Sequence, residues 1–164
     1  MEIGLINNLT LFNNDIENLL LDDTLSKQLI ITFTDTEFTA TALVSGKFVS
    51  LEEYNYGTDS EPDTALMFER ILHVSKLLEF NYNKVIYISK HQHATFVPKE
   101  LYSAEIRNLY LSFTHKEYHN KDIISKTIED KEVVFVLPLK FIDAILQKTP
   151  TAEIIHYSEY FIKN

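Results

Sequence analysis

Four of the six histidines fall in two closely spaced pairs, the first pattern in this 164-residue chain that could do chemistry. His91 and His93 are two residues apart. His115 and His119 are four apart, which points two side chains to one side of a helix. Zinc needs three or four ligands with supporting hydrogen bonds, and the second pair lacks the HExxH pattern of metalloproteases and has Lys116 beside it. We therefore expect polar loops that contain histidine, and no metal site.

Acidic side chains form a second group, between residues 35 and 63. Nucleases with a ribonuclease-H-like fold gather acids on their strands to bind two metal ions. Here Asp35 and Glu37 fall in a predicted turn, and the inward positions of the predicted strands read as threonine or apolar residues. We interpret the group as a solvated acidic rim, and a metal-dependent nuclease stays open as an alternative. Its members are Asp35, Glu37, Glu52, Glu53, Asp59, Glu61 and Asp63.

Motifs that bind phosphate or activate a nucleophile are missing. The glycines, Gly4, Gly46 and Gly57, are isolated, so the sequence contains neither GxxxxGK[ST] nor GxGxxG, and there is no GxSxG elbow. Without cysteine, thiol catalysis, thiolate metal sites and disulfides are excluded. The sequence therefore predicts no catalytic, cofactor-binding or metal-binding residue, and no cofactor.

The charge and hydropathy of the chain bear on its partners and its location. The net charge of −9 repels phosphate backbones, so we expect no nucleic-acid partner. The first residues lack the basic region and apolar run of a signal peptide, and no run of about 18 apolar residues is present. We therefore expect a cytoplasmic protein with no membrane insertion.

The elements that would position any site begin with three strands. The segments Leu29–Thr34, Phe38–Val44 and Phe48–Tyr54 are rich in β-branched and aromatic residues and are separated by short turns, which predicts an antiparallel meander. A helix over Thr64–Phe80 then leads to an apolar strand, Lys84–Ser89. A helix between these strands allows parallel pairing through a right-handed crossover.

The second half repeats one local arrangement, a strand that ends at proline and leads into a helix. The strand Ala94–Val97 precedes Pro98 and a helix that would run toward Thr114 with Leu101, Tyr102 and Ile106 on its inner face. The strand Glu132–Leu137 precedes Pro138 and a second helix. In both cases proline suits the first helical turn. We expect Phe33, Val85, Ile86, Val134 and Phe135 to be buried.

Two flanking segments complete the predicted organisation. Residues 1–28 read as an accessory segment with turns around Asn7 and Asn8 and a short helix near Leu19–Leu21. Residues 29–150 read as the main domain. Residues 151–164 are half large and apolar, so we expect a strand or helix packed against the rest of the chain.

The segments from Leu29 to Tyr157 resemble a family of the Bacteroidetes called domain of unknown function 3822. The resemblance rests on a Thr-hydrophobic-Val-Pro strand end at Thr95–Pro98, a Leu-aromatic helix start at Leu101 and Tyr102, and a hydrophobic-Pro strand end at Val136–Pro138. It implies a degenerate member of the actin-like ATPase superfold, which includes sugar kinases, heat-shock chaperones and pilus assembly protein M. The implied fold class is α/β: a ribonuclease-H-like βββαβαβα unit with a mixed sheet, antiparallel meander plus parallel strands, forming one half of an actin-like ATPase fold.

The resemblance also locates the position at which nucleotide would bind. The first hairpin of the superfold carries an acid, a glycine and small hydroxyl residues that approach phosphate. Here that hairpin is Thr32–Phe38, which has no glycine and has Glu37 where phosphate would sit. We therefore predict a non-catalytic interaction domain that does not bind ATP and that binds a protein partner or itself. An ATPase or kinase-like protein that needs a second half or a partner is the other alternative.

Overall fold

Three antiparallel strands joined by two short turns form the centre of the structure, and this confirms the predicted meander. The computed structural model describes residues 6–12, 16–34, 36–55, 70–90, 93–113, 123–136 and 139–159. The strands are β2 (Lys27–Phe33), β3 (Glu37–Val44) and β4 (Lys47–Asn55). Along β2 and β3 every second residue is buried, because successive side chains point to opposite faces of a sheet.

The N-terminal segment contributes a strand and a short helix that the sequence analysis only partly predicted. β1 (Ile6–Phe12) pairs antiparallel with β4, so the turns predicted around Asn7 and Asn8 are wrong, because both residues lie within this strand. The short helix is present as α1 (Ile16–Leu21). Its end is fixed to the sheet by Lys27, whose buried Nζ donates to the carbonyl oxygen of Leu20 at 2.9 Å.

A helical crossover follows the meander. The described part of the predicted helix comprises α2, which is helical residues 70–74, and a 3-10 turn over Leu77–Glu79. It leads into β5 (Lys84–Ser89), which pairs parallel with β2, and the predicted crossover allows this kind of pairing. Parallel neighbours require such a crossover, since the chain must return to the same end of the sheet.

A small antiparallel sheet is inserted between β5 and the last helix. It contains β6 (Ala94–Pro98), β7 (Ile123–Ile128) and β8 (Lys131–Val136) in the order β6-β8-β7, with α3 (Arg107–Ser112) packed on it. The sequence analysis missed β7, and the single mixed sheet of the βββαβαβα unit implied that the strand at 132–137 belongs to the main sheet. That assignment was wrong, because β8 pairs on its two sides with β6 and β7.

The last helix and strand complete the main sheet. α4 (Leu139–Lys148) leads into β9 (Glu153–His156), which pairs parallel with β5. The strand order is therefore β1-β4-β3-β2-β5-β9. The apolar C-terminal segment was predicted to pack as a strand or helix, and its described part does so, with Ile155 and His156 buried.

Two groups of buried side chains hold these layers together. The larger joins the inner face of the main sheet to α2, α4 and one face of the small sheet, through residues such as Ile71, Val133 and Ile145. The smaller lies between the small sheet and α3, around Leu111 and Val134. The five residues predicted to be buried are all buried.

The predicted helix after Pro98 begins later than the sequence indicates. Residues 99–101 and 104–106 form 3-10 turns, and Tyr102 and Ser103 between them are extended, so α3 starts only at Arg107. Leu101 and Ile106, predicted on the inner face, are exposed, because the break rotates them away from the sheet. Within the described ranges, no helix combines the length and apolar character needed to cross a bilayer.

Candidate functional site

The parallel strands β2, β5 and β9 all end at one edge of the main sheet, at Phe33, Ser89 and His156. In open α/β sheets ligands bind outside the carboxyl ends of parallel strands, so this carboxyl edge is the candidate functional site. The turn between β2 and β3 lies at the same edge. It is the hairpin at which the family resemblance places phosphate.

The turn after β2 is closed by its own first side chain. The hydroxyl of Thr34 accepts the backbone N–H of Thr36 at 3.1 Å and that of Glu37 at 2.9 Å, and the N–H of Thr34 donates to the carbonyl of Glu37 at 2.8 Å. A phosphate cradle presents free backbone N–H groups to the anion. Two amides of this turn are instead satisfied by the threonine hydroxyl.

The side chains around the turn also oppose an anion. The carboxylate of Glu37 lies at the start of β3 and accepts a hydrogen bond from the hydroxyl of Thr39 at 3.2 Å. Phe33 and Phe38 form a directly opposed, buried pair beneath the turn. A bulky apolar base and a fixed carboxylate disfavour the close approach of phosphate oxygens to this backbone.

The end of β9 forms a reciprocal cap for the residues that follow it. The Nδ1 of His156 accepts the backbone N–H of Ser158 at 3.3 Å, and the carboxylate of Glu159 accepts the N–H of His156 at 3.0 Å. This pairing has the form of a capping box, in which two otherwise unpaired donors at a helix start are satisfied. The Nδ1 of His156 also lies 2.7 Å from the hydroxyl oxygen of Ser158.

The small sheet covers this end of β9. The ring of Phe135 in β8 stacks on the buried ring of His156, with centroids 4.8 Å apart. Lys126 in β7 donates to the buried carboxylate of Glu159 at 2.8 Å. Side chains of the inserted sheet therefore occupy part of the edge at which open α/β sheets bind ligands.

One polar atom at the edge has no partner. The hydroxyl of Ser89 is buried and makes no hydrogen bond to the described part of the chain. The backbone around Ser89 is hydrogen-bonded: the N–H of Lys90 donates to the carbonyl oxygen of Phe33, and the N–H of Tyr157 donates to the carbonyl oxygen of Ser89. Sequence reasoning missed Ser89, His156, Ser158 and Glu159, because only the pairing of β5 with β9 brings them together.

A second buried polar cluster lies on the inward face of β4. It shows that one of the acids assigned to the solvated rim, Glu52, is not at the surface. Glu52 was assigned to a solvated rim, but its side chain is buried. Its carboxylate accepts hydrogen bonds from Tyr54, from the Ser75 hydroxyl and from the backbone N–H groups of residues 76 and 77. Ser50, Glu52 and Tyr54 share the inward face of β4, so the inward positions are not all threonine or apolar as predicted.

Two tyrosines respond electrostatically to this cluster. Burial raises the pKa of Tyr54 above its usual value, and the negative charge of Glu52 raises it further. The same two causes, in the same order, raise the pKa of Tyr82. The cluster therefore stabilises protonated phenols around one carboxylate, which suits a structural role in ending α2.

A cavity of about 250 Å³ lies at the opposite end of the sheet from the carboxyl edge. Its walls come from β2, β5, the loop that follows the 3-10 turn, and the end of α4. Tyr87 and Thr149 share a hydrogen bond of 3.2 Å in its wall, and burial raises the pKa of Tyr87. Its volume lies just below the usual range for small-molecule pockets, roughly 300–1,000 Å³.

Only some of the other candidate residues from the sequence lie within the described ranges. Asp35, Asp59, Glu61, Asp63, His91, His115 and His119 lie outside the described residues. His93 precedes β6, and its carbonyl accepts the N–H of Val136 at 3.2 Å. Among the described residues, no three histidine or acidic side chains converge into a potential metal site.

Taken together, the meander, the two parallel strands and the helical crossovers define one half of an actin-like ATPase fold with an inserted small sheet. A solved Bacteroides thetaiotaomicron protein with an actin-like ATPase fold and unknown function superposes with a TM-score of 0.66 at 17% sequence identity. The match covers 84% of this chain and 55% of that chain, so this chain spans about half of the solved relative. This confirms the predicted fold class.

The particular family is shown by a match over residues 16–164 to the model described as a protein of unknown function, DUF3822. The chain belongs to this family, as the resemblance indicated. No curated protein matches it.

Proposed function

We propose that this chain is a non-catalytic interaction domain built on a degenerate actin-like fold, and that it does not bind ATP. The observation that carries the proposal is the closed turn after β2. The Thr34 hydroxyl accepts the N–H groups of Thr36 and Glu37, which leaves those two donors unavailable to a phosphate.

The electrostatics and packing of the carboxyl edge support the same proposal. A nucleotide tail brings several negative charges, and Glu37 adds another at the turn, at the position where the resemblance places phosphate. Opposite the turn, Phe135 and Lys126 of the small sheet contact His156 and Glu159. Side chains of the small sheet therefore occupy part of the edge at which open α/β sheets bind ligands.

The test is calorimetric titration of the full chain with ATP and excess magnesium, with thermal melting as a second readout. We expect no saturable heat and no shift in melting temperature. A ligand present at about 100 times its dissociation constant would stabilise the fold by about 2.7 kcal/mol, which a melt detects easily. Saturable binding with a micromolar dissociation constant would overturn the proposal.

A second candidate, an ATPase or kinase-like protein that needs another half, is favoured by one observation. The chain matches 55% of a relative with an actin-like ATPase fold, and such folds bind ATP between two halves. Phosphate release from magnesium ATP separates the two proposals. It is measured for the chain alone and for an equimolar mixture with the unmatched part of that relative. Release only in the mixture supports the second candidate.

A further inference from the structure

The cavity at the amino ends of β2 and β5, here called the amino-end cavity, combines an apolar floor with polar groups. The buried side chains of Leu29, Leu78 and Val85 form the floor. The half-buried rings of Phe80 and Tyr82 also line it and pack against the larger group of buried side chains. Pockets that bind small molecules have such apolar walls together with a few placed polar groups, so the cavity has the composition of a binding site.

Hydrogen bonds hold the walls of the amino-end cavity in place. The hydroxyl of Tyr82 donates to the carbonyl oxygen of Leu77 at 2.8 Å. The N–H of Lys27 donates to the side-chain oxygen of Asn83 at 2.6 Å, and the N–H of Asn83 donates to the carbonyl oxygen of Lys27 at 2.9 Å. The hydroxyl of Thr149 is bonded to β5 at 3.2 Å. The walls are therefore formed before a ligand arrives, as in most small-molecule sites.

Two opposite charges line the amino-end cavity without pairing with each other. Glu79 comes from the 3-10 turn, Lys148 from the end of α4, and both are exposed. Within the described ranges neither forms an ion pair, and the ammonium of Lys148 donates only to the carbonyl oxygen of Leu72, at 3.3 Å. Both charges are therefore available to a ligand that carries the opposite charges.

We propose that the amino-end cavity binds a free α-amino acid with an apolar side chain, of the leucine type. The apolar floor takes the side chain, Lys148 takes the carboxylate and Glu79 takes the ammonium. A simple anion or a simple cation would be attracted by one of these two charges and opposed by the other, and the net charge of −9 further disfavours an anion. The proposal does not rest on the proposed function, because the cavity lies at the opposite end of the sheet from the carboxyl edge.

The volume of the amino-end cavity sets the size of the ligand. An apolar cavity of about 150 Å³ holds one benzene molecule, so about 250 Å³ holds about ten non-hydrogen atoms at the same packing. Leucine, isoleucine and valine have about eight or nine, and a nucleotide is far too large. The apolar floor, the two charges and the volume therefore point to the same class of molecule.

The test is titration of the isotope-labelled full chain with leucine, followed through the amide chemical shifts. We expect saturable shifts, half-complete at about 1 mM leucine or below, at the amides of residues 78–87 and 148–149. Glycine, which lacks the apolar side chain, should bind at least about tenfold more weakly. Isoamylamine, which lacks the carboxylate, and 4-methylpentanoate, which lacks the ammonium, should each bind about threefold more weakly, because each loses one exposed ion pair.

Two variants assign the charges. Lys148→Met should weaken leucine binding about threefold and leave isoamylamine binding unchanged, because isoamylamine has no carboxylate to lose a partner. Glu79→Gln should weaken leucine binding by a similar factor and leave 4-methylpentanoate binding unchanged. Lys131→Met is the matched control, because Lys131 is exposed at the start of β8 and does not line the cavity. Circular dichroism of each variant checks that it is folded.

Three results would overturn the proposal: shifts that do not saturate with leucine, equal binding of leucine and glycine, or equal weakening of leucine binding in Lys148→Met and Lys131→Met. A chain that binds neither leucine nor magnesium ATP would overturn the amino acid site alone and leave the proposed function standing. Binding of magnesium ATP would overturn the proposed function and leave the amino acid site standing if leucine also binds.

Discussion

Glu52 offers the sharpest test of the structure, because one buried carboxylate holds the end of α2 against β4. Its oxygens accept two hydroxyl donors, from Tyr54 and Ser75, and two backbone N–H groups, from Lys76 at 3.1 Å and Leu77 at 3.4 Å. The Ser75 hydroxyl in turn accepts the N–H of Leu78 at 3.3 Å. The carboxylate therefore serves as the cap at which the α-helix ends and the 3-10 turn begins.

The cost of removing this carboxylate follows from the number of donors it satisfies. A hydrogen bond to a charged group contributes about 1.5–3 kcal/mol, and a buried donor left unpaired costs about 1–3 kcal/mol. The two hydroxyls can rotate to other acceptors, but the amides of Lys76 and Leu77 cannot. We therefore expect Glu52→Ala to lower the free energy of unfolding by about 3–5 kcal/mol.

Two further variants make the test specific. Glu52→Gln keeps one oxygen for the backbone amides and exchanges the other for a donor, so it should cost less, about 1–2 kcal/mol. Glu53→Ala is the matched control, because Glu53 is the next residue on β4 but points to the half-exposed face. A surface change of that kind stays within about 0.5 kcal/mol of wild type.

Urea denaturation followed by circular dichroism measures all three variants. The expected order of destabilisation is Glu52→Ala, then Glu52→Gln, then Glu53→Ala. If Glu52→Ala and Glu53→Ala unfold at the same urea concentration, Glu52 does not cap α2 and the inward face of β4 is wrongly described. If Glu52→Ala does not fold at all, the smaller change in Glu52→Gln still gives the magnitude.

Two further predictions concern the turn after β2 and the buried tyrosines. Thr34→Val keeps the shape of the side chain but removes the acceptor of two backbone N–H groups, so it should lower the free energy of unfolding, measured by urea denaturation, by about 1–2 kcal/mol. Thr41→Val, on the half-buried face of β3, is the control, and an equal loss of stability in this variant would contradict the role of the Thr34 hydroxyl. The pKa values of Tyr54 and Tyr82 are raised above 10.0 in the folded chain, by burial and then by Glu52, so their contribution to stability is complete below about pH 10 and is lost as the pH rises through the folded values. The free energy of unfolding should therefore be lower at about pH 11 than at about pH 9, and the difference should be smaller in Tyr82→Phe. An unchanged stability at the higher pH would contradict this.

The central meander could be predicted from the sequence because its signals are local. β-branched and aromatic residues alternate along β2 and β3, and Ser45 and Gly46 supply the two positive φ angles, 51° and 76°, of a tight hairpin turn. The apolar run of β5, preceded by a helix, predicted a strand and allowed parallel pairing, and the structure pairs this strand with β2. The strands and the hairpin turn depend on neighbours within a few residues, whereas the pairing of β5 with β2 joins distant segments.

The partners of the later strands could not be predicted, because they depend on distant residues. Lys131–Val136 has the apolar sequence of a central strand in either sheet, and only the pairing with β6 and β7 assigns it to the small sheet. The middle of β7 holds three polar residues, Ser125, Lys126 and Thr127, which weaken its strand pattern. Its backbone pairs with the edge of β8. The short β9 pairs with β5, and no local pattern indicated that pairing.

The candidate site divides in the same way between local and tertiary causes. The sequence by itself determined that the turn after β2 lacks glycine and carries Glu37, since these are residue identities within one hairpin. Only the tertiary structure decided that Glu52 is buried, that His156 meets Phe135, and that Lys126 pairs with Glu159 across 33 residues of chain. A charged side chain is stable in the interior only where other segments bring its hydrogen-bond partners, and no local pattern records which segments those are.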